Sequence, residues 1–99
     1  MSVYFLANIK INKQEEYQRY LDKADAVFSN YKGKYLAVDK NPEVLEGEWN
    51  GSRAVLIYFE SREDFNSWYR SGEYQEILQY RLSGSESNSI LIEGNSYFQ

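Results

Sequence analysis

The chain contains no cysteine and no histidine among its 99 residues. Without cysteine it cannot form a disulfide, a thiolate metal site or a cysteine nucleophile. Without histidine, zinc or haem held by imidazole and any histidine-based proton shuttle are excluded. The sequence also contains no glycine-rich phosphate loop, nucleophile elbow or carboxylate metal motif. We therefore expect a protein with no metal site and no cofactor.

Excess positive charge and long apolar runs are also missing. The formal net charge is −4, and the 11 lysines and arginines are scattered along the chain, which argues against nucleic acid as a partner. No apolar run approaches the ~20 residues of a membrane span, and the N-terminus lacks the pattern of a signal peptide. The sequence therefore predicts a soluble, cytoplasmic protein that does not bind membranes.

Tyrosine is abundant, with ten residues beside five phenylalanines and two tryptophans. A tyrosine buries a large ring and keeps a hydroxyl group that requires a hydrogen-bond partner. Two interpretations remain open. The tyrosines belong either to an ordinary core and surface, or to a half-polar cavity or a subunit interface.

The first third of the chain predicts a strand followed by a helix. Residues 2–11 alternate, with one wholly apolar face and a second face that is apolar only at its start. Asn12 is the expected N-cap, with Glu15 completing a capping box. Apolar residues then recur at helical spacing to about Lys32, and Gly33 is placed to end the helix in a left-handed conformation.

The middle of the chain predicts a β-hairpin. Residues 34–39 form a short strand, and residues 44–49 resume extended structure, with Gly47 as a possible bulge. Asn50 and Gly51 form the strongest short hairpin signal, which pairs residues 44–49 with residues 53–60. Residues 53–60 carry apolar side chains on both faces of their strand.

The last third predicts a broken helix and a final strand. Ser61 is the expected N-cap of a short aromatic helix that Ser71 and Gly72 interrupt. The helix resumes over residues 73–82, a polar loop follows over residues 83–89, and residues 89–93 form a strand that is apolar on both faces. Residues 1–94 are expected to form one domain, and residues 95–99 a tail that resembles part of a protease-tag remnant.

This order is the α+β, ferredoxin-like βαββαβ arrangement, with a four-stranded antiparallel sheet and a broken second helix. Two helices cover only one face of such a sheet, and a sheet with one face in water alternates apolar and polar residues. The strand at residues 53–60 and the last strand do not alternate. We therefore predict a homodimer that packs one sheet face against the same face of a partner.

Four blocks of the sequence are distinctive: KGKYL at residues 32–36, VLEGEW at 44–49, VLIYF at 55–59 and WYRSGEYQ at 68–75. Together they resemble the DUF1330 family of small bacterial proteins. The resemblance implies a dimeric α/β barrel, in the superfamily of cofactor-independent antibiotic-biosynthesis-type monooxygenases, muconolactone isomerases and chlorite-dismutase-like haem proteins. Relatives often have proline where Gly72 stands, which loosens the helix break in this chain. Many also have an arginine just after the second strand, where this chain has Asp39-Lys40, so a preference for an anionic ligand that rests on that arginine is not transferred.

Six residues are candidates for binding a small ligand. Trp49 and Arg53 flank the predicted hairpin turn, where they would hold a carboxylate or an enolate, or else form a rigidifying cross-strand pair. The other candidates lie on the first strand and on the broken helix: Asn8, Tyr69, Tyr74 and Arg81.

The alternatives for these other candidates differ. Asn8 would donate to a substrate carbonyl or form an interface amide. The helix residues would complete an aromatic pocket with Trp49, or simply pack a helix against the sheet. Glu46 or Glu48 is a candidate general base, or else a solvent-facing carboxylate.

Two classes of function follow. In the first, a dimer binds a small aromatic or carboxylic metabolite between sheet and helices, or acts as a structural dimer without catalysis. In the second, a cofactor-independent monooxygenase or isomerase acts on a small enolisable or aromatic substrate by stabilising an oxyanion. Neither substrate nor reaction type is specified by the sequence.

Overall fold

A computed structural model describes residues 1–95, and residues 96–99 of the predicted tail lie outside the described residues. The elements follow the predicted βαββαβ order, with the second helix divided in two. In sequence order they are β1 (Val3–Ile11), α1 (Gln14–Phe28), β2 (Lys34–Asp39), β3 (Arg53–Phe59), α2 (Arg62–Tyr69), α3 (Gly72–Gly84) and β4 (Ser85–Glu93). The predicted ferredoxin-like fold is confirmed.

The four strands form one antiparallel sheet in the order β2-β3-β1-β4. The central strand, β1, pairs with β3 on one side and with β4 on the other, so that Phe5 lies opposite both Ile57 and Leu91. Beyond β4, the backbone N–H of Gly94 donates to the carbonyl of Ser2, 2.8 Å away. The first and last strands therefore run side by side along their full length.

The helices cover the sheet face on which β1 is apolar along its whole length and β3 is apolar from Val55 to Phe59. Buried side chains from β1 and β3 meet those of the helices in a single core. Trp68 of α2 lies at its centre, with its ring centroid 4.3 Å from that of Tyr74 and 5.5 Å from that of Phe59. Such aromatic contacts add to the area that these rings bury.

Serine side chains begin the two short helices. The Ser61 hydroxyl accepts a hydrogen bond from the Asp64 N–H at 3.1 Å, as the sequence predicted. Ser71 does the same for Tyr74 N–H at 3.1 Å and also donates to the Trp68 carbonyl, so it both ends α2 and begins α3. These bonds satisfy N–H groups that have no partner within the helix.

Helix α1 differs from the prediction at both ends. The predicted cap at Asn12 is wrong, because Lys13 occupies the N-cap position and its side chain makes no capping hydrogen bond. The backbone N–H of Asn12 instead donates to the carbonyl of Gly84, 2.9 Å away. At the other end the helix stops at Phe28 rather than near Lys32, because the chain must turn there to enter β2.

Gly33 is required for space and not for a left-handed backbone. Among the described residues, the only glycine with a positive φ is Gly47. A Cβ atom at Gly33 would lie 2.5 Å from Phe28 and 2.6 Å from the ring of Phe59. The prediction of a left-handed helix end at Gly33 is therefore wrong.

The predicted hairpin between residues 44–49 and 53–60 is also wrong. Residues 40–52 form no strand, and β3 pairs with β2 on that side instead. Neither Asn50 nor Gly51 has a positive φ, and the sheet irregularity lies between Tyr35 and Ala37, not at Gly47. One edge of β3 is paired with β1, so only its other edge could pair with residues 44–49. Strand β2 occupies that edge.

The predicted polar loop over residues 83–89 does not exist. Helix α3 continues to Gly84, and β4 begins at once with Ser85. The serine-rich half of β4 pairs with β1 through backbone hydrogen bonds, for which side-chain polarity matters little at a sheet edge. The last strand is therefore nine residues long instead of five.

The sheet face opposite the helices, which we call the open face, has an apolar centre. Ile90 and Ile92 on it are 57% and 42% exposed. Its apolar side chains come from three neighbouring strands, namely Tyr4, Leu6, Ala54, Leu56, Tyr58, Ile90 and Ile92. No helix within residues 1–95 is both long and apolar enough to cross a membrane.

Candidate functional site

A cavity of about 420 Å³ lies between helices α1 and α3 and the helix-covered face of the sheet. This volume is within the range of small-molecule sites. Most of its surface is apolar or aromatic. Its lining residues are Phe5, Ala7, Ile9, Tyr17, Tyr20, Leu21, Ala24, Asp25, Tyr35, Val38, Arg53, Val55, Ile57 and Arg81.

The cavity is closed on one side and open on the other. Towards α3 it ends at Arg81, which is 2% exposed, and at Tyr17, which is 1% exposed. Towards β2 its lining residues Asp25, Tyr35 and Val38 are all exposed. A ligand would therefore enter beside β2 and reach Arg81 last.

Arg81 places a positive charge in this closed end. Its guanidinium carbon lies 5.8 Å from the ring centre of Tyr20, and its Nη1 donates a long hydrogen bond of 3.4 Å to the Ser87 hydroxyl. Among the described residues its Nε has no hydrogen-bond partner. A buried charge with such weak compensation is costly, because it has lost its water without gaining an anion.

Arg53 adds a second cation. It is half-buried at the start of β3, and its guanidinium carbon lies 5.9 Å from the ring centre of Tyr17. Its Nε is also buried without a hydrogen-bond partner in the part of the chain that the structure describes. We call Arg53 and Arg81 the arginine pair.

The strand register explains why the arginine pair converges. Arg53 on β3 and Ser87 on β4 both lie directly opposite Ile9 on β1. The three residues form one row across the sheet, so Arg53 and Ser87 are two strand spacings, or roughly 10 Å, apart. Since Arg81 reaches Ser87 from α3, both cations belong to the same end of the cavity.

The tyrosines around the cavity hold their protons tightly. Burial raises the pKa of Tyr17 and, well above the ordinary value, the pKa of Tyr20. Burial also raises the pKa of Tyr74, although the positive charge of Arg81 opposes the shift. Tyr35 is 37% exposed, and partial desolvation of its hydroxyl, together with the negative charge of Asp25, raises its pKa to about 12. At neutral pH these groups are therefore neutral hydrogen-bond donors.

The six predicted site residues are divided among several places. Only Arg53 and Arg81 line the cavity. Tyr74 contacts it indirectly, since its hydroxyl oxygen lies 2.9 Å from that of Tyr20. Tyr69 stacks on Phe65 in the aromatic core and lines a separate hollow beside β4.

Trp49 and Asn8 lie elsewhere. Trp49 borders a more open hollow of about 540 Å³ formed by the 42–49 segment and Ala54. Asn8 lies on the far face of the sheet from the helices, opposite Ala54 and Asn88, and its buried Oδ1 has no hydrogen-bond partner among the described residues. The sheet therefore lies between Asn8 and the cavity, and β3 lies between Trp49 and the cavity.

The sequence interpretation missed the lining tyrosines Tyr17, Tyr20 and Tyr35. The first two belong to the apolar stripe of α1, which was predicted, but nothing in the stripe indicates that it covers a cavity. No cluster of three or more acidic residues that could hold a metal ion occurs within residues 1–95. The arrangement is suited to binding an apolar molecule with one polar, electron-rich end.

Known proteins resemble the chain in sequence and in fold. The model of the family described as "Domain of unknown function (DUF1330)" matches residues 2–95. No curated protein matches the sequence. A solved protein of unknown function from Rhodopseudomonas palustris is 17% identical, with a TM-score of 0.79 over 95% of this chain and 82% of that chain.

Two further solved structures share the fold. SnoaB, a cofactor-independent oxygenase from Streptomyces nogalater, is 13% identical, with a TM-score of 0.67 over 95% of this chain and 93% of that chain. A dimeric ferredoxin-like protein of unknown function from Jannaschia sp. CCS1 is 9% identical, with a TM-score of 0.71 over 95% of this chain and 100% of that chain. At these identities the similarity shows a common fold.

Proposed function

The chain belongs to the DUF1330 family, as its sequence motifs predicted, and we propose that it is a homodimer that binds a small aromatic or carboxylic metabolite. The ligand lies in the cavity between the sheet and helices α1 and α3. The observation that carries this proposal is the combination of an apolar cavity of about 420 Å³ with two incompletely paired arginines at its closed end.

The lining supports a ligand in preference to an empty packing defect. A defect in a core is apolar throughout and is small, since interiors are packed at nearly crystalline density. This cavity opens towards solvent beside β2 and carries polar groups at the opposite end. A mostly apolar pocket with a few polar groups that fix orientation is the usual form of a small-molecule site.

The open face supports the homodimer. Apolar side chains of three strands lie next to one another there, and contiguous apolar surface of this kind marks an interaction site. The exposed side chains of Val44 and Leu45 border Ala54, which belongs to the open face, and so extend the same apolar surface. A dimeric protein with the same fold provides the precedent.

Titration of the ¹⁵N-labelled protein with small aromatic and carboxylic compounds tests the binding proposal. Compounds that bind should shift the amide signals of cavity residues and raise the melting temperature, because they stabilise only the folded state. Replacement of Ala24, which lines the cavity, by methionine should abolish these shifts. Ala26→Met, on the exposed side of the same helix, is the matched control and should bind normally.

The proposal fails if no compound shifts the cavity signals of the wild-type protein at millimolar concentration. It also fails if Ala24→Met folds normally and binds as well as Ala26→Met. Signals that shift only around Trp49 would place the ligand in the open hollow of the 42–49 segment instead.

A second candidate is a cofactor-independent oxygenase or isomerase. SnoaB, an oxygenase with this fold, provides the structural precedent. The specific observation in its favour is the neutral hydroxyl pair of Tyr20 and Tyr74 beside Arg81, which would stabilise an oxyanion that forms on a bound substrate. Consumption of oxygen, or isomerisation, of a compound that binds in the cavity would support this candidate, and unchanged ligand after prolonged incubation would reject it.

A further inference from the structure

We propose that the arginine pair binds the carboxylate of an aromatic monocarboxylic acid, with the ring of the acid lying between α1 and the sheet. This inference rests on the proposed ligand-binding function and narrows the ligand to one chemical class. It assigns a direction as well, with the carboxylate at Arg81 and the ring towards β2.

The first argument is the missing counterion of Arg81. Within residues 1–95 the only ion pair joins Arg19 and Glu16, at 3.9 Å, on the exposed surface of α1. Arg81 is 2% exposed, and its partners among the described residues are all neutral: the Ser87 hydroxyl, the Tyr74 hydroxyl and the ring of Tyr20. A ligand carboxylate would supply the negative charge and accept from the free Nε–H, a strong and geometrically specific contact for arginine.

The second argument is that two cations, not one, face this end. Arg53 and Ser87 lie on either side of Ile9 in one row across the sheet, and Arg81 reaches down to that row. Both arginines have a buried Nε without a partner among the described residues. A carboxylate has two oxygens and can accept from both groups, whereas a neutral amide oxygen offers weaker acceptance and no charge.

The remaining lining argues for an aromatic acid that carries one carboxylate. Between the arginine pair and the entrance, the cavity is bordered by apolar and aromatic side chains, such as Leu21, Val55 and Ile57. At the entrance Asp25 contributes a negative charge, which repels a second carboxylate at the far end of the ligand. A flat, apolar body with one acidic end satisfies both parts of the cavity.

The test compares 2-naphthoate with its neutral isostere, 2-naphthamide, by isothermal titration calorimetry at low salt. We expect the carboxylate to bind at least about tenfold more tightly, since hydrogen bonds to charged groups exceed neutral ones by this order. Arg53→Met, which removes the half-buried cation, should weaken binding of the acid more than binding of the amide and so reduce the preference for the acid. Arg81→Met should abolish the preference.

Arg19→Met is the matched control, because Arg19 also lies over a tyrosine ring, that of Tyr80 at 5.9 Å, but is remote from the cavity. It should bind both probes like the wild type. If Arg81→Met does not fold, the wild-type comparison and Arg53→Met still decide the question.

Each result has one meaning. Equal affinity for acid and amide, with cavity signals shifted by both, overturns the anionic-ligand inference and leaves the binding proposal standing. A preference for the acid that survives in Arg53→Met and Arg81→Met also overturns it, because the charge is then recognised elsewhere. If neither probe binds, the inference falls, and the wider compound titration decides whether the binding proposal falls with it.

Discussion

The hydroxyl oxygens of Tyr20 and Tyr74 lie 2.9 Å apart, although the two residues are separated by 54 positions and belong to different helices. Tyr20 lines the cavity, and Tyr74 packs against Trp68 in the centre of the core. The pair therefore connects the candidate ligand site to the aromatic core. It also gives the Tyr20 hydroxyl a hydrogen-bond partner inside the protein, while the Tyr74 hydroxyl interacts with Arg81 as well.

Loss of this hydrogen bond should destabilise the protein. In Tyr74→Phe the Tyr20 hydroxyl loses its partner, and we expect the free energy of unfolding to fall by about 1 kcal/mol. Tyr80→Phe is the control, because no hydrogen bond of the half-buried Tyr80 hydroxyl occurs among the described residues and little change is expected. Urea denaturation at pH 7 measures both. Equal stability of Tyr74→Phe and wild type would show that the hydroxyl pair contributes nothing.

Stability should decrease in alkaline solution, in part because of Tyr35. Burial and the charge of Asp25 raise the pKa of Tyr35 to about 12 in the folded protein, against about 10 in the unfolded chain. Between these values the unfolded state has lost a proton that the folded state keeps. The contribution of Tyr35 to the free energy of unfolding is therefore fully present below pH 10. It is lost as the pH rises from 10 towards 12.

The urea midpoint of the wild type should consequently fall between pH 10 and pH 11, and the midpoint of Tyr35→Phe should fall less. A variant whose midpoint falls as steeply as that of the wild type would contradict this account.

Gly33 lies close to two phenylalanine rings, so its replacement by alanine should destabilise the protein more than the same replacement at Gly72. A methyl group at Gly33 would lie within 2.6 Å of Phe28 and Phe59, which are both buried and unable to move freely. We expect Gly33→Ala to lower the free energy of unfolding by about 1–3 kcal/mol. Gly72→Ala has open space around it and begins helix α3, so it should be neutral or stabilising by up to about 1 kcal/mol. Equal effects of the two substitutions would refute the steric explanation.

The helix caps provide a second matched pair. Ser61→Ala removes the hydroxyl that accepts from the Asp64 N–H and should cost about 1 kcal/mol. Asn12→Ala should cost almost nothing, because the cap position of α1 is Lys13 and the Asn12 side chain makes no capping bond. Thermal unfolding of both variants measures the difference. A larger loss for Asn12→Ala would show that Asn12 caps α1 after all.

A single charge on the open face should divide the proposed dimer. Ile90 and Leu82 are 57% and 55% exposed, but Ile90 lies on the open face and Leu82 on helix α3. Ile90→Glu should sediment as a monomer at micromolar concentration, because it would bury a carboxylate in the interface. Leu82→Glu should sediment as the wild type does. A wild-type protein that is monomeric under these conditions would end the proposal.

Local signals predicted those elements whose pattern is complete within a few residues. The apolar stripe of α1, the Ser61 cap, the break between α2 and α3 and the doubly apolar β3 were all read from short stretches. In each case the sequence pattern and the tertiary environment agree. The tertiary contacts therefore stabilise the same local structure that the sequence pattern favours.

The errors arise where two segments compete for one partner. Residues 44–49 have a plausible strand pattern, but β3 has one free edge and β2 occupies it. Residues 83–89 have a loop-like composition, yet β1 offers an unpaired edge over its whole length, and backbone pairing outweighs the serine content. Such competition is decided by distant residues, which local patterns do not contain.

The candidate site was predictable only in part for the same reason. Arg53 was selected beside the predicted hairpin turn and Arg81 on the broken helix, and both line the cavity. Trp49 was placed with them because of the hairpin that does not form. Tyr17, Tyr20 and Tyr35 were not selected, since the register that brings α1 over the Arg53 row is visible only in three dimensions.

The position of β1 between β3 and β4 has a consequence for folding during synthesis on the ribosome. Within this domain, β1 is translated before both of the strands that it pairs with, β3 and β4. Until residues 85–93 have left the exit tunnel, one side of its backbone is without hydrogen bonds and exposed to other nascent chains. Completion of the sheet is therefore a late event in the folding of this domain during synthesis.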